Sequence, residues 1–399
     1  MNTITRLRTY PRIGLVVLAY IAFIALGMPD GLLGVAWPSM RSDFGVPLDA
    51  IGALLIAATV GYLTSSALSG TLLARLGVGR VLILSCTLTG LALFGYTLIP
   101  SWWMVAVLGI FSGLGAGAID AGLNTYVAAH FGEGLMQWLH ASYGIGVTLG
   151  PIIMTLALTR LNSWRTGYHV VSAIQILLAV CFLLTLALWN QTDSPTEGEP
   201  VKRLTDYDTS MSETLRQPNV WRSLLMFFLY TGAEVSLGVW TYSLLTESRG
   251  VPVQVAGFWT GSYWAMFTLG RMLAGFVTNR LTVNTLVQSS VIGAILGSVL
   301  LWWNPFPAAS VIAVALIGFA IAPVFPSMVS GTSQRVGEHF AANTIGMQIS
   351  AAGLGVAAIP SLVGVVAHQF SLEIIPICLL ILFSALLLLY KISIRTQSA

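Results

Sequence analysis

Four ionisable side chains interrupt long apolar runs of this sequence: Asp30, Asp120, Glu234 and Arg271. A charge near the centre of a hydrocarbon layer costs at least about 2.5 to 3.5 kcal/mol on insertion scales, so such residues are seldom accidental. A carboxylate withdrawn from water is penalised in its charged form, which is the condition under which it loads and releases a proton near neutrality. Asp30 and Asp120 are therefore expected to be the main proton-coupling residues, and Glu234 to bind hydroxyl groups of a solute or to share the proton. The plainer reading is that each acid only accepts hydrogen bonds from a neighbouring helix and stabilises packing. Asp30-x-x-Leu33-Gly34-Val35 lines up with Glu234-x-x-Leu237-Gly238-Val239 at an offset of 204 residues, so an acid recurs at matching points of two helices.

Polar and aromatic residues on the same apolar runs include Asn124, Tyr143, Trp240, Tyr242, Tyr263, Trp264 and Gln348. Rings that stack on apolar C–H faces beside groups that hydrogen-bond hydroxyls make these, with Glu234, the candidate binding residues. Arg271, near one end of its run, is expected to snorkel or to pair with a helix C-terminus or a carboxylate, and His140 to be a hydrogen-bonded helix residue. Both are assigned to gating or structure, together with the repeated pair Arg75 and Arg280. Trp37, Trp102, Trp103, Trp138, Trp302 and Trp303 read as anchors at a membrane interface. Gly113-Leu-Gly-Ala-Gly117, with Gly146 and Gly150, has the small-xxx-small spacing of closely packed helices and not the setting of a phosphate loop. Pro323 and Pro326 interrupt one run, where a freed carbonyl lines a cavity or lets the helix bend.

The elements that position these residues follow from composition. Of 399 residues 56% are hydrophobic and 8% charged, against about 25% charged in ordinary soluble domains. With a mean hydropathy of +0.83, lipid is the main solvent. Apolar runs long enough to span recur over 13–36, 50–74, 80–98, 103–129, 138–159, 167–190, 221–246, 254–276, 284–303, 307–333, 341–366 and 372–392. Twelve spans put both termini on one side. That side carries 13 of the 18 basic residues and the other carries four, which makes both termini cytoplasmic, although Arg160 and Arg165 run against the rule. No basic run with interleaved aromatics tracks a phosphate backbone, so no nucleic-acid partner is expected.

A polar stretch with Pro195 and Pro200 reads as a cytoplasmic linker over 191–219, dividing an N-terminal six-helix bundle, 1–190, from a C-terminal one, 220–399. Gly45-Val46-Pro47 matches Gly250-Val251-Pro252 at an offset of 205, as do Gly70, Arg75, Leu76 and Val78 with Gly275, Arg280, Leu281 and Val283. Gly144-Ile145-Gly146-Val147 with Pro151 matches Gly353-Leu354-Gly355-Val356 with Pro360 at an offset of 209. Matches in the same order in both halves mark a duplicated six-span unit. The expected fold is an all-α membrane protein of twelve transmembrane helices in two pseudo-symmetric bundles, with the acids of the two first helices facing across a central cavity. Cys86, Cys181 and Cys378 are isolated, with no metal-ligand or disulfide spacing. No Walker sequence and no nucleophile with a base at motif spacing are present, so neither an enzyme nor a cofactor is expected.

Twelve spans in two repeats resemble the major facilitator superfamily, and Gly70-Thr-Leu-Leu-Ala-Arg-Leu-Gly-Val-Gly-Arg80 resembles its signature after span two. Ala74 stands where the superfamily pattern has Asp. A narrower resemblance is to the fucose-galactose-glucose:proton symporter group. It is carried by Phe228-Leu-Tyr-Thr-Gly-Ala-Glu-Val-Ser-Leu-Gly238, by Gly270-Arg271, and by Asp30 and Asp120 with Asn124 at that group's acidic positions. The resemblance implies a secondary active transporter: a symporter of a sugar or similar small polyhydroxylated solute with H+, or with Na+ in its place, working by alternating access as a multi-pass monomer in the cell (inner) membrane. A proton-driven exporter of drugs or metabolites with the same fold is the alternative, and a non-transporting receptor or scaffold the alternative of another class.

Overall fold

The computed structural model describes residues 9–130, 133–189, 211–277 and 281–395. Arg280 and residues 191–210 of the expected linker lie outside them. Among the described residues the secondary structure is helical throughout. The main helices are α1 (Thr9–Phe44), α2 (Ile51–Leu76), α3 (Val78–Leu98), α4 (Trp102–His130), α5 (Glu133–Leu161) and α6 (Trp164–Leu184). After the linker come α7 (Pro218–Ser243), α8 (Val253–Val277), α9 (Val283–Trp303), α10 (Ala309–Ile321), α11 (Glu338–Gln369) and α12 (Ile375–Arg395). Among the described residues, eleven of the spans are long and apolar enough to cross a membrane by length and composition. The twelfth, α8, is 25 residues long and is diluted by Gln254, Thr260, Ser262, Thr268 and Arg271. Several helices outrun the apolar windows that announce them: α1 has 36 residues and α11 has 32. Backbone hydrogen bonding continues past the hydrocarbon edge as long as helix-compatible residues follow.

Two compact units form. One draws on Met1–Val46, Ala53–Ser194 and Val253–Gly261, the other on Pro47–Gly52, Pro195–Pro252 and Ser262–Ala399. In the first, α1 packs on α5 and α6, and α3 packs on α4 and α6. In the second, α7 packs on α11 and α12, and α9 on α10 and α12, which is the same arrangement moved on by six helices. Lipid tails are as apolar as leucine, so these contacts depend on close van der Waals fit and interhelical hydrogen bonds. Gly146 supplies that fit in α5, where a Cβ would fall on the Ile24 carbonyl of α1. Its repeat partner Gly355 does the same in α11 against the Phe228 carbonyl of α7. The turns after α1 and α7 also agree, with Gly45 at φ 64° and Gly250 at φ 63°, a left-handed conformation that glycine adopts without a Cβ penalty.

The expected break in the tenth span is real. α10 stops at Ile321, Pro323 follows, and the helix resumes over Val324–Ser330. The Ile321 carbonyl accepts a hydrogen bond from the Tyr230 hydroxyl at 3.0 Å, so the interruption is tied to α7. Two anchor assignments need correction. Trp103, Trp302 and Trp303 are exposed, but Trp37 and Trp102 are buried and stack with centroids 4.9 Å apart. Adjacent positions on a helix face different ways, and in the Trp102–Trp103 pair it is Trp102 that turns inward to meet Trp37.

Candidate functional site

In the first unit the tight crossings set the acids. Asp30 lies near the middle of the apolar span Ile13–Phe44 and is exposed although apolar residues surround it in sequence. The α1–α5 approach at Gly27 and Gly146 brings Tyr143 against it, and the Tyr143 hydroxyl donates to Asp30 Oδ2 at 2.6 Å. α2 and α4 cross just as closely, since a Cβ at Gly117 would meet the Tyr62 carbonyl. One turn beyond that crossing stands Asp120. Asn124, four residues along the same face of α4, donates from Nδ2 to Asp120 Oδ1 at 2.8 Å, and the Tyr62 hydroxyl donates to Asp120 Oδ2. His140 on α5 acts electrostatically on Asp120 and sets its ring edge-on to Phe23, with centroids 5.9 Å apart. Asp30, Asp120, Asn124, Tyr143 and His140 are thus gathered in one unit.

The second unit builds a different neighbourhood around Glu234, which is half-buried near the middle of the span Pro218–Ser248. Tyr230, one turn earlier on α7, bonds the Glu234 side chain, and the Tyr263 hydroxyl of α8 donates to the Glu234 carbonyl at 2.8 Å. Tyr263, Phe267 and Arg271 occupy one face of α8 at four-residue steps. The Arg271 guanidinium lies over the Phe267 ring, 4.2 Å from its centroid, and acts electrostatically on Glu234. Arg271 thus folds back along its helix onto an aromatic face that attracts cations.

Other expected binding residues are engaged elsewhere. Trp240 is fully buried and donates to the Pro360 carbonyl at 3.0 Å, and Gln348 is fully buried and bonds Ser223 and Thr332. Tyr242 and Trp264 are buried as well, the latter packed between Tyr263 and Phe267. Arg75 is exposed at the end of α2. Sequence reasoning missed Tyr62 and Tyr230. Tyr230 stood in the quoted span-seven motif four residues before Glu234, a visible signal; Tyr62 is joined to Asp120 only by a tertiary crossing.

The model of the Major Facilitator Superfamily matches residues 19–360. The chain belongs to that superfamily. It is a multi-pass membrane transporter and not an enzyme. Bypass of stop codon protein 6 of Saccharomyces cerevisiae is 25% identical, over 93% of this chain and 80% of that protein. The human sodium-dependent glucose transporter 1 is 23% identical, over 88% and 73%. The glucose/mannose transporter GlcP of Bacillus subtilis is 21% identical, over 88% and 87%. Among solved structures, the nucleoside transporter NupG superposes with a TM-score of 0.76 at 16% identity, covering 94% of this chain and 98% of that one. The Escherichia coli fucose:proton symporter FucP superposes with a TM-score of 0.60 at 15% identity, covering 96% and 98%. The sugar-transporter resemblance read in the sequence agrees with these names.

Proposed function

We propose that this transporter is a proton-coupled symporter of a sugar or a similar small polyhydroxylated solute, operating by alternating access. The observation that carries the reading is Asp30: an exposed carboxylate at mid-span, held by a phenol from α5 of its own unit. A carboxylate there can exchange a proton with water that reaches it. Asp120 supplies the second proton-binding group. Glu234 stays near the Arg271 charge and accepts solute hydroxyls, with Asn124 and Tyr143 as further polar contacts. Relatives named for glucose and mannose support the solute class.

The bias of basic residues supports cytoplasmic termini in the cell's inner membrane. Arg165, on the disfavoured side, is offset by its 2.6 Å ion pair with Asp43. A complete pair of six-helix repeats supports a monomer as the transporting form. The test is counterflow of labelled hexoses in proteoliposomes, followed by uptake under imposed pH or Na+ gradients. Exchange of hexose and its accumulation under an inward proton gradient are expected. Accumulation that follows Na+ alone, or flux of amphiphilic drugs with indifference to sugars, would overturn the reading.

A further inference from the structure

We propose that Tyr62 is the positioning residue of the proton step: its hydroxyl donates to Asp120 in the empty state and turns to accept from Asp120 in the loaded state, directing its own hydrogen to Ser66. The inference rests on the proton-coupled reading above and adds a residue and a device to it. Each oxygen of the Asp120 carboxylate meets a donor, Oδ1 the Asn124 amide and Oδ2 the Tyr62 hydroxyl. That arrangement fits the ionised acid. The amide N–H that meets Oδ1 cannot accept, whereas the Tyr62 hydroxyl at Oδ2 both donates and accepts, so a hydrogen arriving on Oδ2 can be taken up by Tyr62.

Once Tyr62 accepts, its hydrogen needs a new partner, and Ser66 Oγ lies within hydrogen-bonding reach, one turn further along α2. Ser66 Oγ in turn points at the Gly117 carbonyl of α4, 3.5 Å away. One proton arrives on Asp120. Tyr62 remains neutral throughout, its O–H bond rotating without breaking, so charge and atoms balance. The device sits where α2 crosses α4, and loading therefore rewrites the hydrogen bonds between these two helices. The charged or titratable groups facing it are Asp30 from α1, which acts electrostatically on Tyr62, and His140 from α5, which acts on Asp120; Tyr143 of α5 is occupied by Asp30.

Two substitutions have opposite signs. Tyr62→Phe removes a donor that favours the empty, charged acid, so Asp120 loads at a pH about one unit higher, a tenfold gain in proton affinity. Ser66→Ala removes the acceptor needed in the loaded state, so loading requires a pH about half a unit lower, about a threefold loss. A role in packing alone moves neither midpoint in this paired way. The experiment is infrared difference spectroscopy of the full-length protein in lipid against pH, with Asp120→Asn to identify the carboxyl band. It uses no sugar, so it reads the proton step even if the solute class is wrong. Opposed shifts support the proposal. Midpoints that stay fixed, that move in the same direction, or a native band that does not titrate would overturn it, and Ser66→Ala alone decides the matter if Tyr62→Phe does not fold.

Discussion

Asp30 and Glu234 stand at matching points of α1 and α7, yet their surroundings have diverged. Asp30 is met by the Tyr143 phenol of α5, and its partner acid Asp120 by a phenol and an amide. Glu234 is met by Tyr230 on its own helix and by the Arg271 charge on α8. The helix crossings behind them have not diverged: Gly146 and Gly355 bring the same pairs of helices together in each unit. A duplicated scaffold keeps its backbone approach because any Cβ there must displace a carbonyl. Side chains facing open space carry no such constraint. One half thus sets its acids among phenols, an amide and the His140 ring, the other sets its acid beside an arginine.

The ends of the units show the same divergence in another form. Arg165 at the start of α6 pairs with Asp43 at the end of α1 at 2.6 Å. In the second unit the signs are exchanged: Arg249 after α7 pairs with Glu373 just before α12. That second pair is bidentate, with Nε at 3.0 Å and an outer nitrogen at 2.6 Å, and Arg249 also reaches Ser310 and the Leu301 carbonyl.

The largest expected effect tests what the two halves share. Gly146→Leu and Gly355→Leu should each abolish folded protein in detergent, measured by monodisperse elution, because a branched side chain cannot fit where even a Cβ overlaps backbone; such overpacking costs about 3 kcal/mol or more. Tolerance in one half alone would mean that the crossings are not equivalent. An intermediate effect tests what differs. Arg249→Met should cost about 2 kcal/mol, at the low end for breaking a buried pair because Glu373 is half exposed, and should lower the melting temperature visibly. Arg165→Met, whose pair is open to solvent, should cost under about 1 kcal/mol in the same assay. The smallest expected effect is that of Tyr242→Phe, a hydroxyl buried away from the acids, which should change transport by less than about threefold if it lies outside the site.

Much of this was legible because membrane sequences punish exceptions. Asp30, Asp120 and Glu234 stand out against apolar neighbours, and the spacing of Gly113 and Gly117 announced a close crossing that the structure contains. What stayed hidden depends on contacts between helices distant in sequence. Tyr62 looks like any aromatic in an apolar run until α4 lies across it. For Arg271 a helix end and a carboxylate were both open, and Phe267, one turn back, offers a ring that holds the guanidinium near Glu234, which residue type alone does not reveal. Trp240 and Gln348 have the chemistry of binding residues, but their polar atoms are consumed by Pro360, Ser223 and Thr332, and residue type alone does not reveal that a donor is already taken.

The central claim is that protons load in the first unit and the solute is gripped by Glu234 in the second. Sugar-driven proton movement into proteoliposomes, measured per molecule of sugar, tests it most directly. Asp30→Asn and Asp120→Asn should each abolish proton movement, whereas Glu234→Gln should raise KM about tenfold or more, as loss of a hydrogen bond to a charged acceptor does, at an unchanged proton-to-sugar ratio. Full proton movement in Asp30→Asn, or its loss in Glu234→Gln while sugar still binds, would contradict the account.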